Sequence, residues 1–423
     1  MNLNNIQFDH IVDALNIILP LRSPADVSLH YFFRDRPKLG SRDRALIAET
    51  VYMILRRRRL LETLAPQGTP RELALLALAK LGGANIRELE PLLRKGEAEW
   101  LASAKGTDIS ALPLAVQTDL PDWIADRLVA QYGEAETIEL ARALREAAPL
   151  DVRVNTMLAN RDEVLKVLQQ DGFAAVPTPY SPFGIRLEGK PALQHHPLFL
   201  SGKVEVQDEG SQLLGLLLSP KRREMVVDFC AGAGGKTLLI GALMHSQGRI
   251  YALDVSEKRL NNLKPRLARS GLSNVQPQRI DNERDTKIKR LAGKIDRVLV
   301  DAPCTGSGTW RRAPHLKWTT TRQQIATAAA VQQTLLGEFS ERVRPGGRLL
   351  YATCSLNQSE NSAVVAEFLK HHVHFELEPP HRHYHGVVAD AGLTLLPALH
   401  NTDGFFIAAF RRRIESGERV LAR

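Results

Sequence analysis

At 423 residues the chain exceeds one ordinary hydrophobic core, so two or three domains are expected; 24% charged and 44% hydrophobic residues exclude wholesale disorder. Its 56 Lys and Arg against 47 Asp and Glu leave a net charge of +9, which favours a polyanionic partner, because each neutralised phosphate releases condensed counterions. With three cysteines (Cys230, Cys304 and Cys354) and no CxxC spacing, a disulfide framework and a cysteine zinc site are excluded, and a reducing cytoplasm is expected.

The first residues lack the basic-then-apolar layout of a signal peptide, and no apolar run approaches the roughly 18 residues needed to span a bilayer. No membrane association is expected. Residues 1–148 read as an all-α domain: Ile11, Leu15 and Ile18 share one helical face, as do Ile47, Val51, Ile54 and Leu55. The stretch Arg71–Leu81 stops at Gly82-Gly83, and Pro121 opens a helix running to about Tyr132. The run Arg56-Arg57-Arg58-Arg59 lies at a helix end, where it either balances the helix dipole in solvent or contacts an RNA backbone.

Residues 149–203 form a small α+β linker module, with strands at 151–155 and 183–187 and a helix over 161–171. From Val204 to residue 413, strands and helices alternate, the signature of a doubly wound α/β sheet. Strands are expected at 225–229, 250–254, 275–280, 297–301, 348–353 and 405–410. Pro265 must kink or end the helix over 256–270. Residues 414–423 are a basic tail.

The segment Val226-Val-Asp-Phe-Cys-Ala-Gly-Ala-Gly-Gly-Lys-Thr237 is a strand, a glycine-rich turn and a helix start. Glycines permit the turn, and the helix aims free N–H groups at a ligand. It matches neither a Walker A loop nor a dinucleotide fingerprint. Asp228, Asp254 and Asp281 follow three successive strands. Asp254 can accept hydrogen bonds from ribose hydroxyls, and Asp281 can reach an adenine edge. Acids in these places without a phosphate site point to S-adenosylmethionine, against the plainer reading of three helix N-caps.

Asp301-Ala-Pro-Cys304 and Thr353-Cys354-Ser355 place two thiols at carboxyl ends of strands, where such sheets bind ligands. Cytosine C5 becomes nucleophilic only after something adds at C6, and a thiolate both adds and leaves readily. Asp301 can hold the ring's N3/N4 edge, while Lys236 can lower a thiol pKa or order the acid. Cys230 reads as a small residue packed beneath the glycine turn. Trp310-Arg311-Arg312 can stack a base and hold phosphates, or be a packed Trp beside exposed arginines. Six histidines crowd residues 371–385; without cysteines or a catalytic spacing they read as a solvated loop, not as a metal site.

At this point the sequence resembles the RNA cytosine-5 methyltransferases of the Sun/RsmB type. The matching stretches are DFCAGAGGKT (228–237), ALDVSEKRLNNLKPRLARSGLSNV (252–275), DRVLVDAPCTGSGTWRR (296–312), GGRLLYATCSLNQSEN (346–361) and LLPALHNTDGFFIAAFRR (395–412). SRDRALIAETVYMILRRR (41–58) is similar to the NusB-like RNA-binding domain that some members carry. The resemblance implies a Rossmann-like class I methyltransferase sheet acting on RNA, ribosomal RNA above all. It implies that Cys354 attacks and Cys304 assists release. Cys230, Ala231, Gly232, Ala233, Gly234, Gly235, Lys236, Asp254, Asp281 and Asp301 would line the S-adenosylmethionine pocket. Where the family has CAAPGGK, this chain has Cys230-Ala-Gly-Ala-Gly-Gly-Lys236, so a less preorganised loop is expected. A catalytically inactive ribosome assembly factor and a DNA cytosine methyltransferase are the rival readings. The intact thiol pair disfavours the first, and the TCS thiol the second. Oligomeric state stays open, a monomer being the simplest case.

Overall fold

The computed structural model describes residues 3–189, 191–379 and 391–414. It divides into two compact units: Met1–Ala147 with Thr309–Thr320, and Ala148–Gly308 with Thr321–Arg423. The basic tail beyond Ile414, together with His381, His383 and His385, lies outside the described residues.

The first unit is helical. In Asn5–Ile18 the residues Phe8, Ile11, Leu15 and Ile18 recur at helical spacing and are buried against Ile47, Val51, Ile54 and Leu55 of Ser41–Arg56. Thr69 and Glu72 form a capping box at the start of Pro70–Leu76, and a wider-wound turn, Ala77–Leu81, carries that helix on to Gly82. The arginine run is not a fully solvated helix end but is paired within the helical unit. Arg57 separates Ser41–Arg56 from Arg58–Leu64 and pairs with buried Asp119, which also accepts from Leu60 N. Arg58 bonds Glu62, and Arg59 bonds Asp122.

Thr309–Thr320 is tied into this helical unit. Arg56 Nη2 donates to Arg311 O (3.0 Å), Lys317 Nζ to Arg56 O (2.7 Å) and Trp318 Nε1 to Leu55 O (2.7 Å). Trp310 and Arg311 are 3% and 2% exposed, which favours the packed-Trp reading over a base-stacking platform, with Arg311 buried beside it and Arg312 alone exposed.

The second unit holds two sheets. Strands β1 (Leu150–Val154), β2 (Ala175–Pro177), β3 (Gly184–Leu187) and β4 (Val204–Val206) form a small antiparallel-paired sheet in the order β2-β3-β1-β4. Val164 and Leu168 of helix Arg161–Gln170 share its core. Because β4 pairs with β1, residues 204–206 belong to the small sheet, and the boundary expected at residue 203 falls too early.

The large sheet contains β5 (Met225–Phe229), β6 (Arg249–Asp254), β7 (Val275–Arg279), β8 (Ile295–Asp301), β9 (Val343–Thr353), β10 (Phe375–Glu378), β11 (Leu393–Leu395) and β12 (Phe405–Arg412). Its order is β10-β12-β9-β8-β5-β6-β7, with β11 on β12. The strands from β7 to β9 run parallel; β12 is antiparallel to β9. After β5 the chain goes out through β6 and β7, then returns to the other side of β5 with β8 and β9. That reversal opens a crevice at the strand carboxyl ends, where open α/β sheets bind ligands. Helix Glu257–Ser270 continues past Pro265 as one element, so of the two expected outcomes the early end does not occur. Its last turns are held from outside by Arg266 and Arg269, both paired with Glu205 of β4.

Candidate active site

The glycine turn between β5 and helix Gly235–Leu243 uses left-handed backbone at Cys230, Gly232 and Gly234 (φ +62°, +57° and +80°). At Gly234 a Cβ would stand 2.1 Å from Leu263 Cδ1, so glycine is required by space as well as by φ. Asp254, at the end of β6, clasps this turn: its carboxylate accepts from Gly232 N (2.9 Å) and Ser256 N (2.7 Å). Each oxygen keeps a further lone pair.

The turn borders a cleft of about 540 Å³ lined in part by Cys230, Gly232, Lys236, Asp301, Arg259 and Phe405. Ala231, Ala233 and Gly235 line it too, whereas Gly234 and Asp254 lie behind the wall. Asp281 is not brought to the cleft. Its side chain is 77% exposed and paired with Arg279, because β7 ends two residues earlier. Asp228, one of the three strand-end acids, lines the cleft, accepts from Thr237 Oγ1 (2.5 Å) and leaves Oδ1 buried without a hydrogen bond. Burial, with Asp301 and Asp254 adding to it, pushes its carboxyl up to about 7.

Lys236 Nζ stands 2.7 Å from Asp301 Oδ2. Burial opposes the lysine's charge, but Asp301 outweighs it, with Asp228 and Cys354 contributing, so the ammonium is held above the usual lysine range. Three residues past Asp301, Cys304 Sγ lies 3.2 Å from Cys354 Sγ. The parallel pairing of Asp301 with Ala352 brings the two loops level, and Gly308 N donates to Cys354 O (2.9 Å). Its hydrogen bond with Cys354, and then burial, hold the Cys304 thiol well above its usual value. Cys230 is also pushed up, by burial first and then by the surrounding carboxylates, which disfavours its thiolate. The sequence reading missed Glu360, an acid with no exposed surface whose carboxylate binds the loops of both cysteines.

Known proteins match both halves of this arrangement. Residues 215–411 match the model of the 16S rRNA methyltransferase RsmB/F family, and 120–194 match the ferredoxin-like domain of RsmF/B-like methyltransferases. A Synechocystis protein named "Probable ribosomal RNA small subunit methyltransferase B" is 32% identical over 92% of this chain and 96% of its own length. The chain belongs to the RsmB/F methyltransferase family. The Pasteurella multocida ribosomal RNA small subunit methyltransferase B is also 32% identical, over 77% of this chain and 69% of that protein. Among solved structures, PH0851 superposes with a TM-score of 0.81 at 26% identity, covering 97% of this chain and all of its own. A methyltransferase homologue from Pyrococcus horikoshii gives 0.63 at 32% identity, covering 72% and 100%.

The methyl donor is S-adenosylmethionine, and the residues present fit it. The cleft has the volume of a small-molecule site, its glycine turn lets a ligand approach the backbone, and a buried Asp228 oxygen is left without a partner. No group of three or more His, Cys, Asp or Glu able to hold a metal ion occurs among the described residues, and none of their helices is long and apolar enough to cross a membrane.

Proposed function

We propose that this protein transfers a methyl group to carbon 5 of a cytosine in ribosomal RNA through a covalent bond between Cys354 and C6. The 3.2 Å approach of Cys304 and Cys354, beside the Lys236–Asp301 pair, carries this reading. A methyltransferase acting on an exocyclic nitrogen or a ribose oxygen has no use for a second thiol in contact with the first.

Bound in the cleft, S-adenosylmethionine supplies an electrophilic methyl group. The Cys354 thiolate adds to C6, Asp301 holds the N3/N4 edge of the ring, and the electron pair gathered at C5 takes up the methyl. Lys236 keeps Asp301 oriented and offsets the charge of the thiolate. Release requires the C5 proton to pass to water while the C6–S bond breaks and its electrons return to Cys354. The Cys304 thiol eases that departure by hydrogen-bonding the leaving sulfur. The choice of Cys354 as attacker rests on similarity to the family. The expected compartment is the cytoplasm, where both thiols stay reduced.

The deciding experiment incubates the protein and its Cys304→Ala and Cys354→Ala variants with methyl-labelled S-adenosylmethionine and unmodified 16S rRNA or DNA. Label in RNA alone is expected for the wild type, a stalled protein–RNA adduct for Cys304→Ala, and neither for Cys354→Ala. An adduct retained by Cys354→Ala reverses the roles of the thiols, and absence of RNA methylation refutes the reading.

A further inference from the structure

Neither catalytic loop contains a regular element that fixes its cysteine, yet the two sulfurs meet. What holds them is a buried carboxylate on the short turn Gln358–Glu360 that follows β9. Glu360 Oε1 accepts from Thr305 N (2.9 Å), and Oε2 from Thr305 Oγ1 (2.6 Å), Ser355 Oγ (2.5 Å) and Asn357 Nδ2 (2.8 Å). Thr305 follows Cys304 and Ser355 follows Cys354, so one carboxylate grips the residue after each thiol. The residues before them are held by Glu360's neighbours: Gln332 Nε2 bonds Pro303 O (2.9 Å) and reaches Glu360 Oε1 (3.3 Å), while Asn361 Oδ1 accepts from Thr353 Oγ1 (2.6 Å). Tyr351 Oη donates to Glu360 O and pins the turn itself.

We propose that Glu360 is a positioning residue for the two-thiol reaction: its carboxylate sets the approach of Cys304 to Cys354 by tying Thr305 to Ser355. This rests on the two-cysteine reading above. Taking a carboxylate out of water is costly, and here five donors offset that cost. A neutral carboxamide has one acceptor oxygen and an NH2 that would face donors, so only a carboxylate takes bonds from both loops at once. Glu360 faces Cys304 and, after the hydrogen bond with Cys354, burial and the charge of Cys354, adds to the forces that keep the Cys304 thiol protonated. A Cys304 that keeps its hydrogen can donate it to Cys354 across the 3.2 Å contact, the arrangement that release of the product needs.

The test uses Glu360→Gln and Glu360→Asp, with Thr305→Val and Ser355→Ala removing one arm each. Three quantities are read: S-adenosylmethionine affinity, single-turnover methylation of 16S rRNA, and the pH dependence of iodoacetamide alkylation of Cys304, resolved by peptide mass spectrometry. For Glu360→Gln methylation should fall about 100-fold, the cost of misplacing reacting groups by about 1 Å, while cofactor affinity changes less than about 3-fold. Alkylation of Cys304 should begin at lower pH than in the wild type. Glu360→Asp should restore the alkylation profile through its charge but not the full rate, because its carboxylate is one methylene short. Each one-arm variant should lose about 10-fold in rate, and they decide the matter if Glu360→Gln does not fold. Wild-type rates and alkylation in Glu360→Gln, or in both one-arm variants, overturn the proposal. Alkylation needs no RNA, so a wild type that fails to methylate cytosine refutes the functional reading while the effect on Cys304 is still measured.

Discussion

Lys236 Nζ and Asp301 Oδ2, 65 residues apart in the chain, meet at 2.7 Å because the glycine turn after β5 and the loop after β8 flank the point where the sheet reverses direction. Lys236→Met leaves the carboxylate without its cation and able to turn away from the substrate ring. Methylation should fall about 100- to 1,000-fold, the range seen when one preorganised electrostatic contact is lost. The fall should lie in the single-turnover rate with saturating cofactor. Unchanged turnover would remove Lys236 from the reacting centre.

Asp254 acts through the backbone it clasps. Asp254→Ala frees Gly232, which holds a positive φ, and removes the acceptors of Gly232 N and Ser256 N. A charge-assisted bond contributes about 1.5–3 kcal/mol, so cofactor affinity should weaken about 10- to 100-fold by calorimetry. Asp254→Asn keeps one acceptor oxygen and should fall between the two. Equal affinity in all three proteins would mean that the loop holds its shape without the clasp.

The strands of the large sheet were readable where apolar runs end in an acid or a glycine, as in Met225–Phe229 and Ile295–Asp301. The thiol pair was readable because cysteines among Pro, Thr and Gly at strand ends are poor core residues. Short β2, β4, β10 and β11 left no clear signal; they exist through pairing with β3, β1 and β12, which a local pattern does not contain. Whether the helix ends at Pro265 was not legible locally for a related reason: Glu205, 60 residues earlier, anchors the turn beyond it. Glu360 stood in a polar stretch where an acid ordinarily faces water, and its role depends on donors from positions 305, 332, 355 and 357. The two arginine-rich stretches stayed open between solvated and RNA-contacting readings because a local pattern does not contain Asp119 or the backbone of residues 55 and 56, to which they are tied.

Asp228 makes stability fall as pH rises. Its folded pKa is raised from the ordinary 3.8 to about 7, by burial first, so between those values the folded protein holds a proton that the unfolded chain has lost. Its contribution is complete below about pH 4 and is lost as pH approaches 7; the shift corresponds to on the order of 4 kcal/mol. Asp228→Asn keeps an acceptor for Thr237 Oγ1 and removes the titration. Its melting temperature relative to the wild type should therefore rise between pH 4.5 and 7. Parallel curves would show that Asp228 ionises normally.

Lys317 predicts the opposite slope, in the helical unit. It is 4% exposed and donates to Arg56 O; burial first, and then Arg145, Arg57 and Arg56 against the pull of Asp119, lower it from 10.5 to about 7. Between about pH 7 and 10.5 the unfolded chain binds a proton that the folded state lacks, so stability rises across that window. Lys317→Met removes the rise together with the hydrogen bond to Arg56 O. The wild type should gain melting temperature relative to the variant from pH 7 to 9.5, and at pH 6, where the buried lysine must carry its charge, the variant should be the more stable protein. A constant offset between the two curves would mean that Lys317 remains charged throughout and that its bond to Arg56 O accounts for the whole difference.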